Sequence, residues 1–170
     1  MKFELTKHFL NDIIQKLDRR EYELVKIKLS ELHNVDIAEL IEGLDNEHGK
    51  ILFELFEDED SAEILIELDD DSRETVLEDL SSQEIAEELI ENLDSDDAAD
   101  IIGDLPSRKK EEVLSHIDDI EHASDIVDLL SYPENTAGGL MAKELIHVNE
   151  KWSVLRCVRE MRKQAEEVDK

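Results

Sequence analysis

Between Asp36 and Leu130 an apolar residue closes every twelfth position or so, and this recurrence limits the possible folds more than any other feature of the chain. The closing residues are Leu44, Phe56, Leu68, Leu80, Leu93, Leu105, Ile117 and Leu129, separated by 12, 12, 12, 13, 12, 12 and 12 residues. Each copy opens on Asp, Ser or Pro chemistry and carries a stripe at helical spacing, such as Ala62, Leu65 and Leu68, or Ile85, Ala86, Leu89 and Leu93. Once turns are subtracted, each helix has about two to three turns, below the roughly 12–15 residues at which an isolated helix is even marginal. Such helices persist only by stacking. The spacing predicts eight short helices in a superhelical array of helix pairs, with a unit of about 24 residues. Leu44, Leu68, Leu80, Leu93, Leu105 and Leu129 are expected in its core.

The charge is extreme and uneven. The 170 residues carry a net charge of −28, and from Glu57 to Asp104 there are 21 acidic residues against a single basic one, Arg73. A field of this sign repels phosphate backbones, so nucleic acid is excluded as a partner. Disorder, the usual fate of so acidic a chain, is excluded by 40% hydrophobic content at helical spacing. Cys157 is the only cysteine, so no disulfide framework is available; it is expected as a buried small hydrophobe. The start, Met1-Lys2-Phe3-Glu4, has no signal-peptide character, and no apolar run approaches the roughly 18 residues of a membrane span.

Ahead of the repeats, two helices are expected. Phe9, Leu10, Ile13, Ile14 and Leu17 form the apolar face of one, and Tyr22, Val25, Leu29 and Leu32 that of the other, with His33-Asn34 as a helix end. Here basic residues slightly outnumber acidic ones. In the repeats, Asp36 with Glu39, Asp60 with Glu63, Asp71 with Glu74 and Ser81 with Glu84 match the capping box, and Pro106 suits a helix start. Local capping does not account for all the acid. Asp97, Asp100 and Asp104 share one helix face, and Glu84, Glu87, Glu88 and Glu91 another, with no Lys or Arg four residues on. These faces are either solvated or bind cations.

No standard catalytic or metal motif is present. Asp58-Glu59-Asp60 and Asp69-Asp70-Asp71 lack the glycine and the bidentate glutamate of an EF-hand loop, and the six histidines have no paired metal spacing. No nucleophile elbow, phosphate loop or dinucleotide fingerprint occurs, so no catalytic residue is assigned and no enzyme activity is expected. After Leu130 the period breaks at a proline and a glycine pair. Residues 144–148 read as one strand, Asn149-Glu150-Lys151 as a turn, and Ser153 as the cap of a helix with Val154, Leu155, Val158 and Met161 on its apolar side. With an unpaired strand and a helix whose apolar face is uncovered, the tail over 142–170 is expected to be disordered or packed against a second molecule.

Tyr132-Pro133-Glu134-Asn135-Thr136-Ala137-Gly138-Gly139-Leu140-Met141 resembles the junction motif of the MgtE family of magnesium transporters, which connects an acidic helical N domain to a pair of CBS modules. Asp97-Ala98-Ala99-Asp100 and Ser61-Ala62-Glu63 look like parts of that N domain, and residues 144–165 are similar to the first strand and helix of the first CBS module. The resemblance implies a mainly all-α chain: an acidic helical-repeat N domain over 1–131, a junction over 132–141, and a truncated β-α piece of a CBS module over 142–170. It also implies a Mg²⁺ sensor that gates ion flow by docking acidic domains across bound ions. Glu63, Asp96 and Asp100 would face that interface, with Asp97 on the same acidic surface. Because the partner acids lie beyond Lys170, Mg²⁺ binding to this chain alone should be weak or absent. The partners implied are Mg²⁺, the CBS modules and membrane domain of the parent, and a second copy in a homodimer, all at the cytoplasmic side of the cell membrane. Two other readings remain open: a protein-interaction scaffold resembling the flagellar rotor switch protein, and an acidic divalent-ion buffer.

Overall fold

The computed structural model describes residues 4–133 and 135–168. Two helices lead, α1 (Lys7–Asp18) and α2 (Tyr22–Leu29). The array then comprises α3 (Asn34–Glu42), α4 (Asn46–Phe53), α5 (Asp58–Glu67), α6 (Asp70–Leu77), α7 (82–92), α8 (Ser95–Asp104), α9 (Ser107–Leu114) and α10 (Ile120–Leu129). A last helix, α11 (Val154–Val168), follows an extended stretch. Eight helices therefore match the eight expected copies.

The first two helices meet in a tight reversal. Arg20 takes φ 57°, the left-handed conformation that usually ends helices at glycine, and its amide and that of Glu21 return to Leu17 and Lys16. Asp12 then ties the pair together, accepting from Lys16 and, at 2.5 Å, from Lys28; these two ammonium groups hold its carboxyl at about 2. Within the array most helices pack on the next but one: α3 on α5, α4 on α6, α5 on α7, α7 on α9 and α8 on α10. Burial follows that geometry. Leu68, Leu93, Ile117 and Leu129 are buried, whereas Leu44, Phe56, Leu80 and Leu105 are half-buried against the same core.

Burial also explains the one 13-residue step. In α3 the buried apolar residues are Ile37, Ala38, Leu40 and Ile41, and in α8 they are Ala98, Ala99, Ile101 and Ile102: two apolar pairs separated by one exposed position. In α7 the pairs are Ile85-Ala86 and Leu89-Ile90, separated by both Glu87 and Glu88. The extra residue is absorbed as a π-turn over Ile85–Leu89, between an α-turn and a closing 3₁₀ turn. By contrast, α4, α6 and α9 bury only one apolar pair or part of it, and they bear Lys50, Arg73 or Lys110 where α3, α5, α7 and α8 bear their first buried pair. The two kinds alternate from α3 to α6. Then α7 and α8, both of the first kind, follow one another, so the 24-residue unit does not run through the whole array.

Several local expectations are corrected. Only Ser81 with Glu84 forms a capping box. Asp36 and Asp60 lie in the first turns of α3 and α5, which start earlier, with His33 and Glu57 at the cap positions. There they favour the helix dipole instead of capping. In α6 the cap is Asp69, which accepts from the Ser72 amide at 2.8 Å, and Asp71 is again inside the helix. Asn34 starts α3 and does not end a helix. Cys157 is only half-buried.

The expected strand at 144–148 is absent, and no strand occurs among the described residues. A lone extended segment has no neighbouring strand to complete its hydrogen bonds. A side chain takes that place: Gln164 of α11 accepts from the His147 amide at 2.8 Å and donates to its carbonyl at 2.9 Å. The turn at Asn149 and the helix after Ser153 do form, and Val154 and Leu155 remain about four-fifths exposed.

Candidate metal centre

Like those of α5 and α6, the start of α8 is acidic. Asp94 occupies its cap position in extended conformation, and Asp96 and Asp97 fill its first turn, where negative charge favours the dipole. Ala98, Ala99, Ile101 and Ile102 anchor the opposite side in the core, so the acids are presented from a fixed helix. Asp96 and Asp97 are half-buried and Asp100 is exposed. Burial pushes the Asp97 carboxyl up, and the carboxylates of Asp96, Asp94, Asp100 and Glu67 push it further. Asp94 is raised by burial, by Glu144 and by Asp96, with His122 opposing.

Three of the four residues singled out in the sequence therefore share one helix end. Glu63 stands apart on α5 and accepts a hydrogen bond from the Asn34 side-chain amide. The carboxylate that α5 sends toward Asp97 is Glu67, one turn later. Glu67 is four residues from Glu63 and could have been found by that spacing; Glu144, 49 residues from its partner, could not. Asp96 and Asp100 line a cleft of about 140 Å³ together with Lys110 of α9, Tyr132 and Gly139. A cation does reach this face, although from another helix. The Lys110 ammonium donates to the Gly103 carbonyl at 2.9 Å, at the far end of α8.

The segment after α10 closes the other end. Glu144 accepts from both the amide and the hydroxyl of Ser95, each at 3.0 Å, and Ser95 is fully buried. Burial raises the Glu144 carboxyl, but the hydrogen bonds from Ser95 and from the amides of Glu144 and Lys143 outweigh it and leave the carboxyl below its ordinary range. A wider cleft of about 580 Å³ opens alongside, with Glu91, Asp94, Asp119, Asp125 and Glu144 among its walls. Three of these carboxylates serve helix starts or turns: Glu91 accepts from the Asp118 amide, Asp119 from Glu121 and His122, and Glu144 from Ser95.

Mg²⁺ holds most of its waters and takes one or two carboxylates from protein. The donor set on α8, hard carboxylate oxygens with the charge on Asp97 disfavoured, suits that chemistry as one side of a site. Among the described residues no three His, Cys, Asp or Glu side chains converge as they would around a fully protein-ligated ion.

Comparison with known proteins places the chain in a family. The family model described as the MgtE intracellular N domain matches residues 32–135. Among solved structures, the chain is similar to the cytosolic domain of the Mg²⁺ channel MgtE in complex with ATP, at 25% identity and a TM-score of 0.79 over 92% of this chain and 64% of that one. It also shares the fold of the soluble part of a magnesium transporter, at 19% identity and a TM-score of 0.74 over 92% of this chain and 61% of the other. The chain thus spans less than two thirds of either. No curated protein matches. No helix among the described residues is long and apolar enough to cross a membrane.

Proposed function

The chain belongs to the MgtE intracellular N-domain family, and from that premise we propose that it is the Mg²⁺-sensing regulatory part of a magnesium transporter. Residues 1–131 act as the acidic sensor array, 132–141 as the junction, and 142–170 as the opening of a CBS module. The observation that carries this reading is the crowding at the start of α8, where burial and four other carboxylates disfavour the charge on Asp97.

Two carboxylates about 4 Å apart repel by up to roughly 4 kcal/mol at an effective dielectric near 20. A second acidic surface brought against α8 adds to that repulsion, so without divalent cations the two surfaces separate. A hydrated Mg²⁺ between them reverses the sign of the interaction, with Asp96, Asp97 and Asp100 as the oxygen donors from this side. Glu63, apart from these three on α5, is the further donor that the family resemblance implies. Docking then tracks free Mg²⁺, because the docked state binds the ion better than the open one. In the parent, that equilibrium would close the ion pathway.

The test uses the whole cytoplasmic region of the parent and follows protease protection against Mg²⁺, with Na⁺ at equal ionic strength as the screening control. Protection by Mg²⁺ alone, displaced to higher Mg²⁺ in Asp96→Ala with Asp100→Ala, supports sensing. Equal protection by Na⁺, or an unshifted double variant, overturns it.

A further inference from the structure

The alternation of helix kinds, which fails at α7 and α8, leaves an open place in the array. Helix α4 packs on α6, and by the same rule α6 would pack on α8; α8 packs on α9 and α10 instead. Where that packing is missing, a cleft of about 540 Å³ lies between α6, the end of α8 and the start of α9. Two side chains span it and hold its walls at a set distance. Arg73 of α6 reaches Asp104 of α8 at 3.5 Å, and the Lys109 ammonium of α9 donates to the Leu77 carbonyl of α6 at 2.7 Å.

The cleft has two chemistries. Leu77, Ile101, Leu105 and Pro106 supply its apolar lining, while Asp70, Glu74, Glu78 and Asp104, all exposed, bring carboxylates to its edges. Its two cations are turned away from a guest. Arg73 donates to the Leu65, Ile66 and Leu68 carbonyls, and Lys109 to that of Leu77. Lys50 reaches Glu78 from α4 at 3.2 Å but is shared with Asp79 at 2.6 Å. An anion entering here would meet four carboxylates, and a bare metal ion would gain nothing from the apolar lining. A segment that carries large apolar side chains flanked by Lys or Arg satisfies both. In a helix, residues three and four apart share a face, so one stripe can enter the cleft while the flanking cations meet its acidic edges.

We infer that the cleft between α6 and α8 is a docking groove for a basic amphipathic helix of a partner protein. The apolar stripe of that helix enters between Leu77 and Leu105, and its Lys or Arg side chains meet Asp70, Glu74, Glu78 and Asp104. The guest takes the place that α8 leaves unfilled beside α6. The groove lies at the opposite end of α8 from Asp96 and Asp97, and docking there does not depend on how that other end treats Mg²⁺.

Peptide titration of the full chain tests this, in chelator-containing buffer at about 0.15 M salt. The probe is a fluorescent peptide of about three to four turns, built from Leu and Lys with the leucines on one helix face. A peptide of the same composition in scrambled order controls for plain charge attraction. The patterned peptide should bind about tenfold or more tightly than the scrambled one, and the amide shifts it causes should concentrate at residues 70–78 and 101–109. Glu74→Lys with Glu78→Lys changes exposed positions late in α6, where lysine suits the helix dipole, and should weaken binding about tenfold. Thr75→Trp, which fills the cleft and leaves its carboxylates in place, should do the same. Both variants should retain the circular dichroism of the unaltered chain. Equal binding of the two peptides, shifts spread over all the acidic helices, or affinity indifferent to both variants would overturn the groove. Self-association of the chain in sedimentation, lost in Thr75→Trp, would give the groove to a second copy and overturn the partner helix.

Discussion

Arg73 Nη2 donates to the Leu68 carbonyl at 3.0 Å, so the lone basic residue between Glu57 and Asp104 faces backbone and not only the acids around it. Its Nε reaches the Leu65 carbonyl at 3.2 Å and Nη2 also the Ile66 carbonyl at 3.3 Å. The guanidinium thereby satisfies the end of α5, where carbonyls have no helical partner and the dipole is negative. Arg73→Ala should destabilise the chain by about 2 kcal/mol, as for hydrogen bonds to a charged group. Arg73→Lys should recover less than half, because an ammonium lacks the planar fork. Urea denaturation at fixed ionic strength measures both.

The π-turn in α7 makes a second prediction. Deleting Glu87 or Glu88, exposed residues between the two buried pairs, restores the spacing of α3 and α8. The deletion should preserve a single cooperative thermal transition by circular dichroism. Deleting Glu74 from α6, where no residue is surplus, shifts every later contact of that helix and should abolish it.

How much of this was legible beforehand depended on the range of the interaction. Helix count and the apolar stripes follow from neighbours along the chain, and eight helices stand where the recurrence of Leu44 to Leu129 puts them. Cap positions were less legible: Asp60 and Glu63 match the box, but α5 begins at Asp58, since several acids compete for one helix start. The strand at 144–148 was misread because alternation alone does not supply a pairing partner, and Gln164, 17 residues on, takes that role. At the candidate site, Asp97 and Asp100 were visible on one helix face with Asp104, and Asp96 came from the family resemblance. Glu67 lay within reach of the spacing from Glu63, whereas Lys110 and Glu144 arrive from α9 and from the segment after α10, by contacts that no local spacing encodes.

His48 supplies a pH dependence. Its ring stands between Asp45 of its own helix start, 2.7 Å from Nδ1, and Asp18 at the end of α1, 3.3 Å from Nε2. The hydrogen bond to Asp45 raises His48, burial opposes, and Asp18 adds to the rise. A raised folded value means that its stabilisation is complete below the unfolded value of about 6.5 and is lost as pH rises through the folded value. Both carboxylates are well exposed, so the contribution is at most about 1 kcal/mol. Melting of His48→Gln should therefore fall furthest below the unaltered chain near pH 6, with the gap closing by pH 9.

Asp97 has the opposite sign. Its carboxyl is raised by burial and by its acidic neighbours, so above the folded value the ionised form destabilises the fold. Asp97→Asn should melt higher than the unaltered chain at neutral pH without divalent cations, by less than about 1 kcal/mol after solvent screening. The advantage should vanish in acid, where the aspartate is already protonated. Equal melting at both pH values would show that this carboxylate is not under electrostatic pressure.

The central claim, that the start of α8 is the working face for Mg²⁺, is tested most directly by backbone amide chemical shifts of this chain through a Mg²⁺ titration at constant ionic strength set with Na⁺. The account predicts weak, saturable shifts concentrated at residues 94–100 and at Glu67, and their loss in Asp96→Ala with Asp97→Ala. Shifts spread evenly over the acidic helices, or unchanged in that double variant, would contradict it.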